Sequence, residues 1–224
     1  MTIRRNAADR GRANFGWLDS KHSFSFGHYY DPEHMGVSTL RVINDDRVQP
    51  GAGFDTHGHQ NMEILSYVLS GTIEHKDSMG HIERIPAGDF QIMSAGTGVS
   101  HSEYNASQTE PLHFLQIWLL PNQMHIKPAY SQKSFADKVG ITAVVHPTRE
   151  GAMRANTDAR VYRMHGQNKT QLSAEGQQFY VHVVKGNITI GNETLVEGDG
   201  LTVNQTELVI AAGSDSEALI FDLP

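Results

Sequence analysis

The chain has 224 residues, with 18 lysines plus arginines against 25 aspartates plus glutamates, a net charge of −7, 13 histidines and no cysteine. That balance lacks the basic surface that phosphate binding requires, which excludes nucleic acid as a direct partner, and the missing thiols exclude disulfides, thiolate nucleophiles and zinc–thiolate sites. The first twenty residues hold Arg4, Arg5, Arg10 and Arg12 but no apolar run of signal-peptide length, and no later stretch approaches a membrane span, so a soluble, cytoplasmic protein without a membrane partner is expected.

In chain order, apolar segments set between Gly, Asn, Asp and Pro signals predict strands over residues 38–43, 62–69, 71–75, 90–93 and 113–120, with little helical periodicity. Asp77-Ser-Met-Gly80 has the composition of a hairpin turn, because Gly tolerates positive φ and Asp bonds its own backbone. Asp45 and Asp46 read as a strand end, and Asp89 and Asp199 as closing Gly-Asp turns. After Pro121 the polar run from Ser131 to Lys138 interrupts the strand rhythm and places a domain boundary near residue 130. Strands resume over 179–184, 187–190 and 218–222. Both halves share one layout, in which an apolar strand meets Gly71 or Gly186, a second strand follows, and a Gly-Asp turn comes at Gly88-Asp89 or Gly198-Asp199. The expected fold class is therefore all-β, two β-barrel domains in tandem over residues 1–130 and 131–224.

The chemistry lies in two short motifs. Side chains at i and i+2 of a strand share a face, their Cα atoms roughly 6.5–7 Å apart, so two imidazoles so placed can converge on one ion. His57-Gly-His59 is such a pair, with Gly58 expected to leave the backbone uncrowded near the site; His101-Ser-Glu103 repeats the geometry with one imidazole and one carboxylate. Three nitrogens and one carboxylate oxygen with room for a further ligand suit a catalytic metal better than a closed structural one. Glu63 shares parity with His57 and His59 but lies about 13 Å further along an ideal strand, which leaves it a supporting or structural role. His75 follows Glu74 beside the proposed site, within reach of a place behind the ligands, but reads first as a satisfied structural histidine. The remaining histidines, His113 and His182 among them, read as satisfied polar residues of turns and half-buried strands. Among the described motifs there is no G-x-S-x-G elbow, Walker A loop or dinucleotide fingerprint.

Several segments together resemble the pirins, two-domain members of the cupin superfamily: Gly16-Trp-Leu-Asp-Ser20, Phe24-Ser-Phe-Gly27, Tyr29-Tyr-Asp-Pro32, Leu40-Arg-Val-Ile-Asn-Asp-Asp46, His57-Gly-His59, Asp77-Ser-Met-Gly80 and Ser94-Ala-Gly-Thr-Gly-Val-Ser-His-Ser-Glu103. The resemblance implies two cupin-type double-stranded β-helix barrels and one divalent metal held by His57, His59, His101 and Glu103. It is especially close to bacterial pirin-like proteins that open the flavonol quercetin with dioxygen. It implies a flavonol substrate, release of carbon monoxide, a proton-accepting role for Glu103, and iron(II) as the favoured ion, although manganese, nickel, cobalt, copper and zinc suit the same donors. The general cupin pattern is departed from in the second motif, which is two residues longer and has Ser94 where proline is usual. The C-terminal half has no H-x-H, so no metal is expected there. The alternative function is a metal-dependent or redox-sensing binding protein with an unidentified protein partner.

Overall fold

The structure, a computed structural model, describes residues 2–166 and 169–224. Every strand expected from the sequence overlaps an observed one. Among the described residues the helical content is one 3-10 turn, Ala7–Asp9, and no helix is long and apolar enough to cross a membrane.

Two facing sheets make up the N-terminal barrel. One has seven antiparallel strands in the spatial order Ala129–Ser134, Asp89–Ser94, Glu63–Ser70, Leu112–Leu119, Leu40–Val48, Leu18–His22 and Gly11–Asn14. The other has four: Gly53–His59, Val99–Asn105, Thr72–Asp77 and Ile82–Pro86. The C-terminal half repeats the plan. Its larger sheet runs Thr2–Arg5, Gly200–Val203, Gln178–Lys185, Glu217–Leu223, Arg160–His165 and Gly140–Val145, and its smaller one Lys169–Ser173, Glu207–Ala212, Asn187–Ile190 and Glu193–Val196. Two strands tie the halves together. Thr2–Arg5 closes the edge of the C-terminal sheet, and Ala129–Ser134 straddles residue 130 while pairing with Asp89–Ser94, so the chain leaves the N-terminal sheet only after Ser134.

The four central strands of the seven-stranded sheet are buried on both faces over most of their length, which is why Glu63–Ser70, Asp89–Ser94 and Leu112–Leu119 read as largely apolar runs. Alternation along each strand sends Leu65, Tyr67, Phe90, Ile92, Leu115 and Ile117 to one side, where they share a core with Val161, Tyr180, Leu219 and Phe221 of the C-terminal sheet. The intervening residues Ile64, Val68, Met93, Leu112 and Phe114 point into the N-terminal barrel. Each fully buried side chain of this size is worth about 1.5–3 kcal/mol, so the two barrels dock as one unit.

One ion pair is buried in that shared core. Arg163 donates from Nε to Glu217 Oε1 at 2.9 Å and to the Tyr67 hydroxyl at 3.0 Å, and from Nη1 to the carbonyls of Phe135 and Lys138. Every guanidinium direction it uses meets an acceptor, and the linker residues 135–138 are pinned by it. Glu63 lies on this same face rather than beside the histidines. The turn through Gln60 and Asn61, whose φ is 50°, breaks the strand between His59 and Glu63 and resets the parity. Its Oε2 accepts from Ser94 Oγ at 2.6 Å and from the Asn156 amide at 3.1 Å, a bracing contact between the halves. Removing one partner of a buried pair strands the other charge, so Arg163→Leu is expected to lower unfolding stability by about 3–5 kcal/mol in denaturant titration. Arg84→Ala, which removes a partner from an ion pair on the surface, should stay within about 0.5 kcal/mol.

Candidate metal centre

The histidine pairs come together across the smaller N-terminal sheet. His101 sits opposite His57 in the register between Val99–Asn105 and Gly53–His59, and opposite Asp77 on its other side. Between His57 and Phe54 the first strand carries one more residue than its partner does between His101 and Glu103. A bulge of this kind bends the strand and re-aims its side chains. Gly53 is needed there, because a Cβ would lie 2.4 Å from the Glu103 carbonyl oxygen. Gly58, expected to relieve crowding, instead has ordinary van der Waals room around it, its nearest prospective neighbours being 3.9 Å away.

The ligand-capable atoms of His57, His59 and His101 lie within 4.8 Å of one another. His57 Nδ1 is 2.7 Å from the Asp55 carbonyl oxygen, which only accepts, so Nδ1 carries the hydrogen and Nε2 keeps its lone pair. That lone pair faces His101 Nε2 at 3.1 Å. Burial and the neighbouring imidazoles push His101 down to about 3, and the same causes, burial first, bring His59 to about 4. All of this favours neutral rings with converging lone pairs, the state in which imidazole ligates a metal. The donor set therefore fits a divalent cation.

Glu103 adjoins this cluster through His101. Its carboxylate groups with His101 and His75, all three buried. Ser66 Oγ and Gln91 Nε2 donate to Glu103 Oε1 at 3.2 and 2.7 Å, and Gln116 Nε2 donates to Oε2 at 2.7 Å. These three donors were not singled out from the sequence. They sit on three different strands of the seven-stranded sheet, joined only by register: Gln116 opposite Ser66, and Ser66 opposite Gln91. The available signal was a polar residue interrupting each of three apolar runs. His75 is fully buried, its Nε2 lying 3.2 Å from Asp77 Oδ2, an oxygen shared with His81 at 2.8 Å. It lies against the cluster, and Asp77 also closes the hairpin by accepting from the amides of Met79 and His81.

Asp45 and Asp46 do not end a strand; they lie inside Leu40–Val48, on opposite faces. Asp45 accepts from Arg10, Arg47 and His113. Asp46 turns into the barrel, where the Ser20 hydroxyl donates to it, and its burial raises it to about 7. Asp46 also lines a cavity of about 480 Å³ enclosed by Phe15, Ser20, His22, Phe26, Tyr29, Asn44 and Phe54. A separate, shallow depression at the surface is lined by His59, Gln60, Ser78 and Val99.

Two antiparallel barrels in tandem, the first carrying convergent histidines on adjacent strands of its smaller sheet, define a bicupin. Residues 4–119 match the Pirin family model, and residues 144–223 match the model described as the quercetinase C-terminal cupin domain. The chain belongs to the pirin family. It is 50% identical over its whole length to a quercetin 2,3-dioxygenase of Escherichia coli strain K12, of which 99% is covered, and 42% identical to a putative quercetin 2,3-dioxygenase of Pasteurella multocida, with 98% of each chain covered. Among solved structures, the bacterial pirin YhhW from Escherichia coli in complex with nickel(II) superposes with a TM-score of 0.95 at 49% identity, over 100% of this chain and 99% of that one.

The Asp46 environment has a pH signature. Its folded value lies above the unfolded carboxylate value, so the folded chain holds the extra proton, and the associated stability is full below about pH 4 and lost as the pH rises through 7. Asp46→Asn, which keeps an oxygen for Ser20, is expected to be more stable than the parent by on the order of 1–3 kcal/mol at pH 8 and to lose that advantage by pH 4, as read by denaturant titration across the pH range.

Proposed function

We propose that this chain is a metal-dependent dioxygenase that opens the central heterocycle of a flavonol such as quercetin with dioxygen and releases carbon monoxide. The observation that carries the reading is a cluster of neutral, convergent imidazoles beside a buried carboxylate, in a barrel that also holds an aromatic-lined cavity. The quercetin 2,3-dioxygenase activity named for relatives that match over nearly their whole length supports it.

His57, His59, His101 and Glu103 hold the ion, and iron(II) is the ion we favour. When bound, the metal supplies Lewis acidity that makes the flavonol 3-hydroxyl easier to ionise and an electron-rich centre suited to dioxygen. Asp55 and Glu103's neighbours do the positioning. The Asp55 carbonyl fixes the tautomer of His57, and the amides of Gln91 and Gln116 with the Ser66 hydroxyl fix the plane of the Glu103 carboxylate. Oε1 receives two of those hydrogen bonds and Oε2 one, so the spare lone pair on Oε2 would hold the ion or, with the carboxylate detached from it, take the substrate's hydroxyl proton. A role confined to partner binding would call for a centre sealed from solvent, whereas His57 and His59 reach the surface of the barrel.

Anaerobically purified, iron-loaded protein should consume oxygen on addition of quercetin, and His101→Ala should abolish that consumption. Failure with iron and with the other divalent first-row metals would overturn the proposal. Gln116→Leu removes one donor to Glu103 without touching an imidazole, and chelator competition should show metal affinity weakened roughly 10–100-fold.

A further inference from the structure

The motifs over residues 16–29 take no part in the metal centre. They line the cavity of about 480 Å³, which lies between the strands Gly11–Asn14 and Leu18–His22, the loop at Phe26 to Tyr29, and the strand Leu40–Val48. The volume lies in the range that holds small ligands, and an apolar lining with a few placed polar groups is the usual make-up of such a site.

We propose that this cavity is the recognition subsite for a hydroxylated ring of the aromatic ligand, with Asp46 and His22 as the residues that read its hydroxyl groups. This deepens the reading of a flavonol substrate and rests on it. His22 Nδ1 is 2.7 Å from Asn44 Oδ1. An amide oxygen only accepts, so Nδ1 carries the hydrogen and Nε2 remains an acceptor. Ser20 satisfies Asp46 Oδ1, and among the described residues no other side chain bonds that carboxyl, which leaves Oδ2 for a ligand. With Asp46 ionised, as at pH 8, two acceptors on one wall match the donors of a phenolic ring. Phe15, Phe26, Tyr29 and Phe54 supply the aromatic surfaces for its faces.

The cavity is joined to the metal centre by sheet register. Gly11, His22, Asn44, Gln116, Ser66 and Gln91 form one cross-strand row, each opposite the next. Its first half backs the cavity, and its second half holds Glu103. Phe54, at the other wall, pairs opposite Glu103. Phe26 packs edge-on against Trp118 at 5.3 Å, and Trp118 against His59 at 5.2 Å. At the edge of the row Gly11 is fixed by the same design, since a Cβ there would lie 2.3 Å from the Tyr29 ring.

Metal-free protein is titrated, without oxygen, with quercetin and with the flavonol lacking both hydroxyls on its pendant ring, by ligand-induced fluorescence quenching. The parent should bind quercetin roughly 10-fold more tightly than the analogue, Asp46→Asn should erase that preference, and Ala13→Trp, which fills the cavity from its edge strand, should weaken both ligands roughly 10-fold or more. Metal content should be equal in all three proteins. Equal affinity of the parent for the two flavonols, or unchanged binding in Ala13→Trp, overturns the subsite. Cavity binding without oxygen consumption by the iron-loaded parent would keep the subsite and sink the dioxygenase reading. Oxygen consumption with full quercetin affinity in Ala13→Trp would do the reverse.

Discussion

A β-sheet buried on both faces has to divide its residues by parity, and that constraint governs this molecule. In the central strands of the seven-stranded sheet one parity carries the apolar contact with the C-terminal barrel, with Glu63, Asp45 and Arg47 toward the strand ends. The other parity faces the inside of the N-terminal barrel, where apolar residues at either end leave a polar band across the middle. A one-residue slip in any of these strands would drive glutamine and serine into the inter-barrel core and expose leucine to the polar band. The docking of the second barrel therefore protects the register on which the first one's chemistry depends. Arg163 and Glu217 add a directional lock to what is otherwise apolar contact.

Buried polar groups are costly unless they are satisfied, and the polar band satisfies most of its own, Gln91 Oε1 being left without a partner among the described residues. Glu103 lies within reach of three donors, Gln91 and Gln116 among them, and Ser66 accepts from Gln91 while its single hydroxyl hydrogen is shared between Glu103 Oε1 and Gln116 Oε1. A carboxylate held in this way is oriented before any ligand arrives. By contrast His75 Nδ1 and His101 Nδ1 are buried and have no hydrogen-bond partner. Both atoms lie where Glu103, His75 and His101 come together.

How much of this was legible in the sequence follows from how far apart the cooperating residues lie. His57-Gly-His59 and His101-Ser-Glu103 are i, i+2 pairs, so strand geometry alone brings each pair onto one face, and the all-β class follows from the strand pattern. The row that holds Glu103 uses one residue from each of several strands, and nothing local announces it. Ser66, Gln91 and Gln116 each look like an isolated polar residue in an apolar run. The misread positions failed for physical reasons of the same kind. Asp45 and Asp46 were read as a strand end because two adjacent carboxylates are rarely buried, yet Arg10, Arg47 and His113 neutralise one and Ser20 with a raised protonation range accommodates the other. Parity counted through Gln60 and Asn61 misplaced Glu63, because the strand breaks there. The crossing of Thr2–Arg5 into the other barrel depends on a pairing with Gly200–Val203, at the far end of the chain.

In the proposed centre, three imidazoles and the cradled carboxylate of Glu103 act on one ion. X-ray absorption at the iron edge of the anaerobically loaded protein tests it most directly. Three imidazole scatterers and one carboxylate oxygen, with the carboxylate contribution lost in Glu103→Gln and one imidazole lost in His59→Ala, is the predicted result. A first coordination sphere unchanged by Glu103→Gln, or one with fewer than three imidazoles in the parent protein, would contradict it.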